Sequence, residues 1–388
     1  MDRQIVHMDL DAFYVNCTLL KMPELAGRPL IIGGISNRGV VTSASYEARK
    51  YGIQAAMPTR VALQRCPDAV VIKGDFDLFT QYSNIVNDII SERVPVHERA
   101  SIDEFYMDMS GMDRFFGSLQ FTNELVHRVQ KETGLPMSFG LSVNKTIAKM
   151  CTNYAKPRGR LQISLNEVQP FIDPQSIRNL PSLGDVTYKL LRRIRIKIIQ
   201  TLRQVPSDSM QELLGKDGLR LWEKANGIDN TPVIPCTNKK SISTEKTFDK
   251  DSQDLKELKA LLLAMVEKVA FQLREGNLMC STITVRIRYT NWDTETMQKK
   301  IAFTSSDEVL IPCAYELFEK LYQRRMLLRL IGVKLSGLVR GNQQIDLFQD
   351  NIKMIRLYQA MDRMKHRFKN PGLIRRAIGF SMFDHEIA

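Results

Sequence analysis

No two of the six cysteines (Cys17, Cys66, Cys151, Cys236, Cys280, Cys313) share the spacing of a metal site or a disulfide framework. Both are therefore excluded as organising devices, and reduced thiols in a cytosol are expected. Long apolar runs are missing as well. None approaches a membrane span, and the opening stretch MDRQIVHMDLD places acids where a secretory signal needs its hydrophobic segment. The chain reads as cytoplasmic, with no membrane partner. Fixed-period repeats, low-complexity tracts and a glycine-rich phosphate loop are absent too. What is present is a globular composition, 44% hydrophobic and 25% charged over 388 residues, enough chain for two to four compact units. Lys and Arg number 55 against 43 Asp and Glu, and this net charge of +12 points to a polyanionic partner.

The charge is unevenly spread. Residues 1–163 carry 19 basic and 17 acidic side chains, a net of +2, and residues 164–231 add +2, whereas residues 232–340 carry +5 and residues 341–388 carry +3. That pattern fits a chemical domain followed by modules that grip something anionic. Ile5 to Asp9 reads as a strand ending in acids, Leu30-Ile31-Ile32 and Val40-Val41 as short strands, and Ala100 to Met109 and Met137 to Ser142 as longer ones. Helical spacing covers 77–93 and 119–132. Strands alternating with helices, with acids at strand ends, predict an α/β or α+β catalytic unit. Residues 174–229 read as short helices broken by Pro181, Gly184, Pro206 and Gly215, and Pro232 to Ser243 as a polar linker. Beyond it come helical patterns at 255–275 and 312–326 and strand patterns at 282–290, 299–304 and 330–338, a compact α+β module.

Two acidic motifs carry the chemistry, Asp9-Leu10-Asp11 and Ser101-Ile102-Asp103-Glu104. Carboxylates on adjacent strands repel unless a divalent cation neutralises them, and hard oxygen ligands suit Mg²⁺, which bridges carboxylates and substrate phosphates. Two ions held this way activate a 3′-hydroxyl and stabilise a pyrophosphate leaving group. The competing reading is a pair of solvated strand ends. Asp11 shares a face with Asp9 only if the strand continues past Leu10; if the chain turns there, it points elsewhere. Asp108 reads as a structural acid.

Five motifs occur in order: Asp9-Leu10-Asp11-Ala12-Phe13-Tyr14, Ser43-Ala44-Ser45-Tyr46-Glu47-Ala48-Arg49, Ala100-Ser101-Ile102-Asp103-Glu104, Ser142-Val143-Asn144-Lys145 and Ala155-Lys156-Pro157. Together they resemble the Y-family of translesion DNA polymerases, nearest its bacterial polymerase IV and UmuC-type branches. The resemblance implies an α+β right hand: palm at 1–11 and 76–163, fingers at 12–75, a helical thumb at 164–231, a linker at 232–243, a little finger at 244–340 and a tail at 341–388. It also implies low-fidelity, template-directed extension of a primer 3′-hydroxyl by a monomer, with primer–template DNA and deoxynucleoside triphosphates as substrates. Asp9, Asp103, Glu104 and the Leu10 carbonyl match the positions that hold two Mg²⁺ ions, with Glu104 at the catalytic position. Tyr14 matches the steric gate against a ribose 2′-hydroxyl. Ser43, Tyr46, Arg49 and Lys156 match the triphosphate positions, and backbone N–H groups near Ala12 and Phe13 add donors. Hydroxyls, a guanidinium fork and an ammonium suit phosphate oxygens on their own chemistry. Lys145 and Lys149 are left open between primer phosphate and water. Asn16-Cys17 departs from the acid that many members carry there and leans toward the UmuC-type branch.

The later modules read as DNA holders. Leu180-Pro181-Ser182-Leu183-Gly184 resembles a helix-hairpin-helix turn, in which Gly184 allows φ > 0 and close approach to a phosphate. A basic run, Lys189, Arg192, Arg193, Arg195 and Lys197, follows it. Thr282 to Arg288 alternates strictly, with Arg286 and Arg288 on the polar face, and Lys334 repeats the scheme on a second strand. Such a face spans DNA through phosphate contacts; a half-solvated sheet is the bland alternative. Gln344-Ile345-Asp346-Leu347-Phe348 closely resembles the bacterial sliding-clamp binding peptide, with Gln344, Leu347 and Phe348 as its anchors. Leu357, Met361, Met364 and Phe368 then predict a short amphipathic helix. A nucleotide cyclase and a catalytically silent, clamp-bound adaptor are the competing functions; the gate, turn and clamp motifs oppose the first and the three carboxylates oppose the second.

Overall fold

Six consecutive buried residues, Ile5–Leu10, form the central strand of a five-stranded sheet in the computed structural model, which describes residues 3–112, 117–235, 239–341 and 352–368. The strand order is His97–Arg99, Glu104–Asp108, Ile5–Leu10, Met137–Ser142, Arg160–Gln162, antiparallel except for the last pair. Burial along a whole strand means cover on both faces. On one face Val6, Met8 and Leu10 join Phe105, Met107, Phe139 and Leu141 against helices Phe76–Ser91 and Ser118–Thr133. On the other, helix Lys145–Ala155 lies on the sheet. Gly140 explains how closely it lies. Gly140 pairs with His7, and a Cβ there would overlap the Ala148 carbonyl oxygen and the Cys151 side chain.

The predicted strand around Ala100–Met109 is shorter than expected. Its first half turns, so that Glu104 opens the strand Glu104–Asp108 and Asp103 stands just ahead of it. A smaller three-stranded sheet orders Val41–Ala44, Leu30–Gly33 and Val70–Ile72, with short helices Tyr46–Arg49 and Thr59–Arg65 packed around Ile31, Ala48, Ile53 and Ala62. The strand begins at Val41 and carries Thr42 and Ser43 with it.

Residues 168–225 are short helices over a shared core of Ile172, Leu191, Leu202, Met210 and Leu221. One expectation is corrected here. Gly184 is extended, with φ −74°, and caps helix Asp185–Arg193. The left-handed residue of the turn is Ser182, φ 74°, whose hydroxyl accepts from Lys224 Nζ at 3.2 Å. The basic run also loses its continuity: the helix ends at Arg193, and Arg195 takes φ 66°.

The chain divides into Met1–Thr237 and Asn238–Ala388. In the second unit four antiparallel strands run in the order Thr294–Thr304, Leu278–Tyr289, Leu328–Ser336, Ser241–Ser252, and helices Leu255–Glu275 and Asp307–Leu321 cover one face. The edge strand Ser241–Ser252 was hidden in the sequence because its alternation is nearly all polar, with only Ile242 and Phe248 buried. The helix expected at 312–326 begins five residues earlier. Asp307 is fixed by Arg274 at 3.0 Å, the Glu308 N–H donates to the Tyr358 hydroxyl at 3.3 Å, and Pro312 falls inside the helix.

The tail helix Ile352–Phe368 exists, but the face it buries differs from the expected apolar stripe. Tyr358 is buried, Asp362 pairs with Arg274 at 2.7 Å, and Lys365 lies over the Phe271 ring, whereas Leu357 and Met364 are exposed. Polar anchoring thus outweighed the leucine–methionine periodicity. Gln344, Leu347 and Phe348 lie outside the described residues.

Candidate active site

Antiparallel register sets Asp9 directly opposite Glu104, and the Leu10 N–H donates to the Asp103 carbonyl oxygen at 3.0 Å. The three carboxylates separated by more than ninety positions in sequence therefore meet at one strand end. Asp9 is 4% exposed. Burial, together with the nearby Asp103 and Glu104 charges, raises its carboxyl above the usual range even though Lys156 opposes the shift from 2.6 Å. Glu104 behaves in the opposite way. Burial disfavours its charge, yet the His7 imidazole and the Lys149 ammonium outweigh burial and lower it. Lys149 is the stronger partner, donating to both Glu104 oxygens at 2.7 Å, while His7 Nε2 stands 3.9 Å away, beyond hydrogen-bond reach. Asp103 accepts from the Ser101 hydroxyl at 2.6 Å.

Around this strand end lies a cavity of about 450 Å³ lined by Asp9, Leu10, Phe13, Tyr14, Ser43, Arg49, Asp103 and Lys156 among others. Eight of the residues singled out in sequence thus face one space. Two do not line it. Glu104 pairs with Asp9 across the strands outside the lining, and Tyr46 reaches back to Asp11 with its hydroxyl 3.5 Å from Oδ1. Burial first, and then the Asp11 charge, push the Tyr46 phenol up to about 12, so it stays a neutral donor. Its ring lies 4.7 Å from the Arg49 guanidinium, and Arg49 Nε donates to the Ala44 carbonyl at 2.9 Å. The guanidinium is thereby held at the cavity wall.

Between the strand and helix Phe13–Lys21, Ala12 adopts φ 42°, and no side chain caps the helix. The chain therefore turns after Leu10, which decides the open question about Asp11. Asp11 is buried, accepts from Ser138 Oγ at 2.9–3.0 Å and from the Arg158 N–H at 2.8 Å, and serves the fold. Asn16 donates to the Asp11 carbonyl, a local role for the residue that departs from the family pattern. The uncapped first N–H groups of the helix open beside Phe13 and Tyr14, an arrangement that favours anions. Tyr14 is half-buried against Phe79, Phe76 and Phe13, with ring centroids 4.6, 6.0 and 5.5 Å away. Lys145 is engaged elsewhere, donating to both Glu98 oxygens at 2.8 Å. Asp108 accepts from the Ser110 N–H, a structural role.

Some site residues had no motif to reveal them. Thr42 lines the cavity from the small sheet, and Gln54 and Ala55 from the connection between helices Tyr46–Arg49 and Thr59–Arg65. His7 is fully buried beneath Glu104, and burial lowers its pKa, keeping the ring neutral. Its Nδ1 lies 2.9 Å from the Thr152 hydroxyl, and its buried Nε2 faces Glu104 from 3.9 Å without a hydrogen-bond partner. A histidine two residues before the first acid was the only clue.

The donor set suits a divalent cation: hard oxygens, and a buried Asp9 whose ionisation is opposed by like charges and would be restored by a positive ion. Among the described residues no three His, Cys, Asp or Glu side chains are gathered closely enough to hold one. The Lys149 and Lys156 ammonium groups occupy the carboxylate oxygens instead.

The impB/mucB/samB family matches residues 8–153, and the impB/mucB/samB family C-terminal domain matches residues 239–347. The chain belongs to this family and is a Y-family DNA polymerase. Among similar curated proteins, DNA polymerase IV of Halorhodospira halophila is 34% identical over 352 residues, 89% of this chain and 98% of that protein. DNA polymerase IV of Clostridium kluyveri is 33% identical over 355 residues, 90% of this chain and 89% of that one. Among solved structures, the Y-family DNA polymerase chimera Dbh-Dpo4(243-245)-Dbh shares the fold, with TM-score 0.78 and 24% identity over 87% of this chain and all of that one. DinB from Sulfolobus solfataricus gives TM-score 0.61 at 25% identity, with the same coverage. Among the described residues no helix is long and apolar enough to cross a membrane.

Proposed function

We propose that the 450 Å³ cavity is where a deoxynucleoside triphosphate is joined to a primer 3′-hydroxyl, and that Asp9, Asp103, Glu104 and the Leu10 carbonyl hold two Mg²⁺ ions there. As a DNA-directed DNA polymerase of the translesion type, the protein acts on primer–template DNA and deoxynucleotides, and its family generally uses a divalent metal. The observation that carries the residue assignment is the convergence of Asp9, Tyr14, Ser43, Arg49, Asp103 and Lys156 on one space. The ions would supply charge neutralisation at the attacking and leaving oxygens. The chain does the rest. Arg49, held by the Ala44 carbonyl and the Tyr46 ring, presents a rigid fork to the phosphates, with Ser43 as a hydroxyl donor. Lys156 is free to exchange Asp9 for a phosphate oxygen, and the N–H groups at Phe13 and Tyr14 orient the same anion. The Tyr14 ring, braced by Phe79, occupies the space a 2′-hydroxyl would need. Primer extension with Mg²⁺ and four deoxynucleotides should proceed and should stop on addition of a chelator. Extension that persists without divalent ions would refute the assignment.

We read residues 1–11 and 76–163 as palm, 12–75 as fingers, 164–231 as thumb and 244–340 as little finger of a monomer. Gly184 in the first unit and, separately, the outer sheet face of the second unit with Arg286, Arg288 and Lys334 would each hold DNA. On that face Lys334 is exposed beside Thr284, while Arg286 is held by Glu245 at 3.1 Å across Gly332. Phosphate contacts of this kind weaken steeply as salt rises. Tethering by Gln344, Leu347 and Phe348 to a sliding clamp would then keep the enzyme at the primer end by raising its effective concentration. Replacing Leu347 and Phe348 by Ala is expected to bring the ratio of clamp-stimulated to clamp-free synthesis down to one. If melting temperature and clamp-free insertion fall together instead, the two side chains pack into the protein and the clamp assignment is wrong.

A further inference from the structure

The hairpin joining strands Leu278–Tyr289 and Thr294–Thr304 ends in a feature that phosphate gripping alone does not require. Trp292 at its tip is 62% exposed and adopts φ 74°, a left-handed conformation that bulky residues take only at a steric cost. Two guanidiniums stand over the indole, Arg329 at 4.2 Å and Arg288 at 5.7 Å from the ring. Arg329 is there because the strand Leu328–Ser336 bulges: Leu330 pairs with Arg288 and Leu328 with Tyr289, which leaves Arg329 as the extra residue, and a bulge re-aims its side chain.

The surrounding charges favour an anion. Asp293 and Glu295, the acids nearest in sequence, are both drawn onto Arg324 at 2.8 and 3.1 Å. Among the described residues neither Arg288 nor Arg329 has a carboxylate partner, and Arg288 Nε donates to the neutral Thr294 hydroxyl. Arg286, two residues along the same face, is neutralised by Glu245. The positive charge still available on this part of the face is therefore gathered at the tryptophan.

We propose that Trp292, Arg288 and Arg329 form a subsite for an unpaired stretch of DNA strand, with the indole stacking on a base and the guanidiniums meeting its phosphates. It rests on the reading of the outer sheet face as a DNA-holding surface. An open aromatic beside cations is what single-strand grooves combine, because every base has a face to stack and only an unpaired base can turn that face outward. In a duplex both faces are covered by neighbouring pairs.

The chain has two tryptophans, and Trp222 donates its indole N–H to the Val205 carbonyl in the first unit. In a full-length Trp222→Phe protein, Trp292 is the sole indole reporter, and titration with a short oligo-dT is expected to quench it. Trp292→Ala should weaken oligo-dT binding about tenfold while changing blunt-duplex binding less than about twofold. Trp292→Phe should recover most of the loss, which separates stacking from a disturbed hairpin. Arg329→Gln should lower the salt slope of oligo-dT binding by about one. Unchanged fluorescence at saturating oligo-dT, or equal losses for single strand and duplex in Trp292→Ala, would overturn the proposal. Lys334→Gln tests the surface itself: weaker duplex binding supports it, and no effect removes it, leaving the fluorescence to decide the subsite.

Discussion

Glu104→Ala is expected to lower nucleotide incorporation by several orders of magnitude while primer–template binding stays close to that of the unaltered enzyme. A carboxylate that acts through bound cations contributes chiefly in the transition state, so its loss falls on kcat far more than on DNA affinity. Removing Glu104 also strips Lys149 of the partner that holds it at 2.7 Å, leaving a half-buried ammonium unpaired. Glu104→Gln, which keeps the volume and accepts from the lysine, distinguishes lost chemistry from lost packing. Both variants should be inactive, and the glutamine form should melt closer to the unaltered protein. Near-normal single-turnover insertion by either would remove Glu104 from the catalytic site.

Replacing Tyr14 by Ala is expected to admit ribonucleotides. The ring borders the cavity beside Asp103 and is fixed by its contact with Phe79, so it cannot swing aside cheaply. If it excludes a 2′-hydroxyl, its removal should lower the ratio of kcat/KM for deoxynucleotide over ribonucleotide about a hundredfold, equivalent to about 2.7 kcal/mol. Tyr14→Phe should retain the discrimination, because the ring and not the hydroxyl does the excluding. An unchanged ratio in the alanine variant would reduce Tyr14 to a packing residue.

The carboxylate site was readable before any coordinates because its acids sit at strand ends, where composition and register are tightly linked. Asp9 opposite Glu104 follows once Ile5–Leu10 and Glu104–Asp108 pair antiparallel. One wall of the cavity was not readable. Thr42 reaches the cavity from a short strand and Gln54 and Ala55 from a helix-to-helix connection, and none belongs to a residue type with a required chemistry. The left-handed turn residue was misassigned because glycine is the usual occupant, whereas here Ser182 takes that conformation and Gly184 stays extended. The edge strand Ser241–Ser252 escaped because exposed strands need few apolar residues, and two buried positions in twelve give no alternation to detect. The tail helix showed its period but not its contact, since Arg274, Asp307 and Tyr358 lie far apart in sequence and meet only after the second unit has folded.

The lysine pairs on Asp9 and Glu104 have a consequence for the resting protein. A catalytic centre with clustered acids is ordinarily a point of self-repulsion that weakens the fold until cations arrive. Here the chain carries its own counterions: Lys156 on Asp9 and Lys149 on Glu104 offset part of that repulsion. The fold thereby depends less on cation loading than three unpaired acids would make it. If the cavity takes a triphosphate as proposed, the incoming phosphate would draw Lys156 away and uncover the oxygens of Asp9. On that proposal, the nucleotide to be consumed would help to arm the site that consumes it.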